Sequence, residues 1–198
     1  MAVPLVAGCA VLLREALVKG GTVKPSAALI KALLINGAVP LSEQPAPDSG
    51  FGRVNLANSL SVALKEENTA FYEGTAYEDA EDVATDGIVF SRQVHVNLEG
   101  KPQNLKATLV WSDFQGERLR NILLLKVKGG DGSERFGYKE AGREEEEESE
   151  DDDEDDENIN NVQQVLWENI PPGDATITVK YRDLQQPPQP FTILWRLS

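Results

Sequence analysis

Leu105-Lys-Ala-Thr-Leu-Val-Trp111 decides how the larger part of this chain is read. Leu105, Ala107, Leu109 and Trp111 fall on alternate positions, so an extended backbone points all four the same way. The same period runs through the residues around it. Ile88 to Leu98 offers Val89, Val94, Val96 and Leu98 as apolar points, and Leu119 to Val127 is a third candidate strand before Gly129-Gly-Asp-Gly132 turns the chain back. Val162 to Trp167, Ala175 to Tyr181 and Phe191 to Leu197 follow, separated by Pro171-Pro-Gly173 and Pro187-Pro188. Six short strands between residues 87 and 198 predict an all-β sandwich of jelly-roll type rather than a βαβ unit.

Upstream the period is helical. Ala7 to Val18 reads as a helix stopped by Gly20-Gly21, and Pro25 opens a second that runs from Ser26 to Asn36-Gly37 with Leu29, Ala32 and Leu33 on one face. Pro40, Pro45 and Pro47 break regular structure. Gly50-Phe-Gly52 then makes a constrained turn into a short helix ending near Leu64. The expected organisation is a helical unit over 1–65, a polar and acid-rich linker over 66–86, and the sandwich over 87–198.

Val3 to Leu13 carries no charged side chain and only the weak thiol of Cys9. A helix apolar all round is normally enclosed by other structure, so the first nineteen residues read as a core helix of a larger body, most of whose core is missing. The run is too short for a membrane span, which needs about twenty apolar residues. Pro4 and Gly8, with no basic residues ahead, also fit a secretory leader poorly.

Thirteen of the fourteen residues from Glu144 to Glu157 are acidic, and they account for nearly all of the net charge of −14. Without them, nineteen basic side chains meet twenty acidic ones. This balance argues against nucleic acid, whose phosphates need a basic surface, and the basic groups near the start are too sparse for a membrane patch. The insert 144–157 has too few apolar residues to fold and reads as a solvated, disordered tether. Carboxylates suit calcium, but the run lacks the glycine and spaced ligands of a calcium loop. With a single cysteine, Cys9, and a single histidine, His95, neither a disulfide nor a zinc site is expected, and no cofactor is called for.

His95 alternates with Val94 and Val96 and should face solvent. Ser112 beside Asp113 could be imagined joining it in a Ser-His-Asp centre, but no spacing supports that. Trp111, Trp167 and Trp195 sit in apolar strands and are expected in the core rather than as a sugar platform.

Met1-Ala-Val-Pro-Leu-Val-Ala-Gly8, followed by Ala10, Leu12, Leu13 and Ala16, resembles the segment just after the nucleophile of subtilisin-like serine proteases. The residues that carry the motif here are Met1, Ala2, Pro4 and Gly8; Val3 stands where the family usually has threonine or serine. Pro25 to Ala38 looks like the next helix of that domain, and Gly50-Phe-Gly-Arg-Val-Asn55 like the turn that closes it. A second likeness runs through Leu105 to Asp113, Leu119 to Val127, Asn160 to Val165, Pro172-Gly173 and Gln189-Pro-Phe191. These resemble the β-sandwich that follows the protease domain in one subtilase branch. Where that branch reads Val-Asn-Asp-Leu-Asp-Leu, Asn121 matches but Ile122 and Leu124 replace both aspartates, so no network or cation contact built on those acids is expected here.

The resemblance implies a mixed fold, the C-terminal remnant of an α/β subtilisin-like catalytic domain followed by the sandwich. It also implies a peptide-bond hydrolase that works through a Ser-His-Asp triad. The family's nucleophile would immediately precede Met1, and neither the triad nor the oxyanion asparagine occupies a family position here. The chain alone is therefore expected to be inactive, with polypeptide substrates only in a full-length protein that includes the missing N-terminal catalytic portion. Many family members are secreted, and the resemblance points to an extracellular place for a full-length member. The competing expectation is a stand-alone β-sandwich binding or interaction protein.

Overall fold

In a computed structural model, which describes residues 2–41, 49–77, 87–97, 102–116, 118–137 and 160–198, the alternating segments form two antiparallel four-stranded sheets. The strands are β1 (Thr69–Ala76), β2 (Ile88–Val96), β3 (Leu105–Trp111), β4 (Asn121–Lys128), β5 (Glu134–Phe136), β6 (Val162–Trp167), β7 (Gly173–Leu184) and β8 (Gln189–Leu197). β1 pairs with β8, β2 with β7, β3 with β6 and β4 with β5, the nesting of one long hairpin. Pairing of β3 with β8 and of β4 with β7 rolls that hairpin into sheets of order β1-β8-β3-β6 and β2-β7-β4-β5. This is the double-sheet arrangement of a jelly roll.

The six expected strands are all present, and two more join them. β5 is a three-residue edge strand. β1 corrects the reading of 66–86 as a linker in its first part, because Thr69–Ala76 pairs with β8 along its whole length, from Thr69 opposite Arg196 to Ala76 opposite Gln189; positions 78–86 lie outside the described residues. On its inter-sheet face Ala70, Gly74 and Ala76 are small and Tyr72 is half-exposed, so no run of large buried side chains announces a strand. The acidic insert 144–157 lies outside the described residues.

Between the sheets one face of β3 (Leu105, Ala107, Leu109, Trp111) meets Leu123, Leu125, Val127, Ile177 and Val179 in a single core. Trp111, Trp167 and Trp195 are all buried, as their strand positions require. A polar side chain also bridges the two sheets across this core. Gln163 on β6 donates Nε2 to the Leu123 carbonyl at 2.7 Å and accepts the Leu125 amide at 2.8 Å, both on β4.

The other face of β3 is covered as well. Three helices, α1 (Ala2–Lys19), α2 (Ala27–Gly37) and α3 (Leu56–Ala63), place Leu13, Leu17, Leu29, Ala32, Leu33 and Val62 against Val110, Val162 and Leu194 of the first sheet. The helices are thus a layer on the sandwich, and β3 is buried at every position. Ser26 caps α2 by accepting the Leu29 amide at 3.0 Å, while its own amide donates to Glu73 of β1. Gly37 allows α3 to cross close to α2, since a Cβ there would collide with the Ser59 side chain and backbone. The turn before α3 is held by paired backbone bonds between Val39 and Arg53, with Gly50 and Gly52 in left-handed conformations (φ 51° and 104°) that favour glycine.

Candidate functional site

The motif-bearing residues Ala2, Pro4 and Gly8 lie on the first two turns of α1. No acidic residue supports this helix start. Pro4 is tolerated there because amides of the first turn have no carbonyl to bond. Every residue from Ala2 to Gly8 is exposed. Val3 is 80% and Leu5 73% accessible, and Val11 and Leu12 are exposed a turn or two later. Leu13 and Leu17 alone on α1 are fully buried. The front of α1 is therefore an apolar rod standing clear of the helical layer, while its rear third anchors it. Met1 lies outside the described residues.

The other polar candidates do not converge. His95 on β2 faces solvent, as its alternation with valines predicts, and its Nδ1 lies 2.9 Å from Oδ1 of Asp174 on β7. Both side chains are about two-thirds exposed, so this is a surface pair. Ser112 accepts a bond from Gln189 through its backbone carbonyl at 3.2 Å. Asp113 accepts the backbone amides of Arg120 and Asn121 and so holds the β3–β4 crossing. His95 and Asp113 are thus engaged in structural contacts through their side chains, and Ser112 through its backbone carbonyl. Among the described residues no three metal-ligating side chains cluster.

A polar centre that sequence reading did not foresee is built on Asn121, which is fully buried. Its Nδ2 donates to Gln189 Oε1 at 2.8 Å and to the Gln186 carbonyl at 3.0 Å, and its Oδ1 accepts the Gln186 amide at 2.9 Å. Its own carbonyl accepts the indole N–H of Trp111 at 3.1 Å. Gln189, buried too, passes its remaining donors to the Ser112 and Pro190 carbonyls. Ile122 is buried and Leu124 half-buried, so this network runs through amides rather than carboxylates. It locks the β3–β4 crossing to the β7–β8 turn. The one signal for it in the sequence is that Asn121 and Gln189 each stand at the mouth of an apolar strand.

A second buried polar cluster lies where α2 meets the first sheet. Lys106, only 5% exposed, donates Nζ to the Ala38 carbonyl at 2.8 Å, and Asn36 donates to the Lys106 carbonyl and to Thr108 Oγ1, each at 3.0 Å. Neither cluster contains a nucleophile paired with a base.

No protein-family model matches this chain, and no curated protein matches it. The subtilase likeness accordingly rests on the residues quoted for it.

Proposed function

We propose that the chain is the C-terminal part of a subtilisin-like serine endopeptidase, its helices a remnant of the catalytic domain and its jelly roll the accessory domain. One observation carries this reading. The segment that bears the Met-Ala-x-Pro-x-Val-Ala-Gly likeness is the part of α1 that is apolar on every side and yet exposed. A helix of that composition belongs inside other structure, and in the resembled family the enclosing structure is the body that supplies the aspartate, histidine and serine.

In that setting α1 backs the nucleophile, and its amide-bearing front end contributes a positive potential beside the developing oxyanion. The chain's own residues supply packing and orientation, and none is assigned to proton transfer. The 198-residue chain alone should remain unlabelled by a serine-directed fluorophosphonate probe and should not cleave peptides. The transcript tests the larger reading. In-frame codons for Gly-Thr-Ser just before Met1, with Asp and His motifs further upstream, support it; an in-frame stop codon directly before Met1 overturns it.

A second reading, a β-sandwich interaction protein that keeps its helices as a packed layer, draws on the complete core between the two sheets. Solution behaviour separates the two. An interaction protein should be monodisperse and unfold cooperatively, whereas a helix made for enclosure should drive self-association through its bare front.

A further inference from the structure

The seam between α2 and the first sheet buries a cation without a carboxylate partner. Lys106 projects from β3 toward the C-terminal end of α2, and the residue paired with it on β8 is a second cation, Arg196. No other charge offsets them among the described groups around Lys106. α3 carries no titratable side chain, and α2 contributes only Lys31, whose ammonium reaches Asn161. β6 presents Gln164 and Leu166, and Glu73 of β1 is engaged at the start of α2 by the Ser26 amide. The turn beyond Ala38 adds Arg53, another cation. What favours the ammonium is the Ala38 carbonyl at the negative end of α2. The seam is also incompletely satisfied, because Arg196 Nε and Asn36 Oδ1 are buried with no hydrogen-bond partner.

We propose that this seam is a pH-set lock: loss of the Lys106 proton tightens the grip of the helical layer on the sandwich, so that the two fasten more firmly as the solution turns alkaline. Burial, and secondarily Arg196, pull the Lys106 ammonium down from 10.5 to about 8. In the unfolded chain the same group keeps its proton to its ordinary value. Between these two values folding releases a proton, so stability rises with pH there and levels off above the unfolded value. Below about 8 both states are protonated and the full burial penalty is present. The drop corresponds to a ~300-fold weaker hold on the proton in the folded state, which bounds the gain. A neutral amine still donates to Ala38, so the contact survives the change while its desolvation cost falls.

The experiment follows thermal unfolding of the full chain and of Lys106→Met from pH 7 to pH 10.5, with hydrogen exchange at α2 corrected for the intrinsic pH effect. The wild-type midpoint should climb and α2 protection should grow with pH, while both are flat or falling in K106M. Equal pH slopes in the two proteins overturn the proposal. If K106M does not fold, the Lys106 ε-carbon resonance of wild type decides: titration near 8 supports the lock, and titration above 10 overturns it. None of these outcomes depends on the chain's being part of a protease.

Discussion

Leu105–Trp111 and Ala2–Gly8 are both seven-residue, mainly apolar stretches, and the structure treats them in opposite ways. Every residue of the first is buried and every residue of the second is exposed. Local hydrophobicity therefore does not decide burial; partners do. β3 has a sheet opposite one face and a helical layer on the other, so even its Lys106 and Thr108 are enclosed. The front of α1 has the composition of an enclosed helix but no packing of its own.

The largest effect is expected inside β3. Leu109→Ala removes a fully buried side chain from the centre of the core, and should cost about 2–5 kcal/mol, the range for leucine truncations that leave a cavity. Urea unfolding followed by tryptophan fluorescence measures it. A loss below 1 kcal/mol, on the scale of surface substitutions, would show that this core is loosely packed.

Asn121→Ala should come next, at about 1–3 kcal/mol, because it strands the Gln186 amide and the Gln189 side chain in a buried place. The double variant Asn121→Ala/Gln189→Ala discriminates further. If the two form one network, the pair should cost less than the sum of the single changes. Additive losses would make them independent.

Ser26→Ala tests the helical layer. It removes the cap on the Leu29 amide and should cost about 1 kcal/mol. The loss should appear in hydrogen exchange at α2 before it appears in β7, since β7 lies in the sheet that the helices do not cover. Uniform loss of protection would mean that layer and sandwich open as one unit.

The same contrast explains how much of the fold was legible in the sequence. Strong alternation located β3 to the residue, a short apolar-rich run between turn signals located β6, and proline and glycine punctuation located α2 and the turns. β1 was hidden because Ala70, Gly74 and Ala76 on its inter-sheet face are small, which leaves room for the rings nearby: a Cβ on Gly74 would meet Tyr72 and Phe191. Such small residues register as linker until the partner strand is known. The buried amides and Lys106 were unreadable for a related reason. A polar residue in a strand is expected to face water, and nothing local shows that a helix or a turn arrives from elsewhere to cover it. Conversely, composition predicts an enclosed front for α1, and that front is exposed within the described residues.

The smallest effect on folding, and the sharpest on behaviour, is expected at that helix. Leu5 is exposed on α1 and packs in neither of the two hydrophobic clusters among the described residues. Leu5→Ser should therefore leave the unfolding midpoint within about 0.5 kcal/mol of wild type, the range for surface positions without special contacts. It also removes apolar surface from a continuous exposed patch, and such patches drive association. Light scattering should show reduced self-association, and binding of an apolar dye should fall in parallel. A large loss of stability would mean that Leu5 already has a partner within this chain, and the contrast with β3 would then disappear. Unchanged association with unchanged stability would mean that the front of α1 is a tolerated surface helix rather than one shaped to be enclosed.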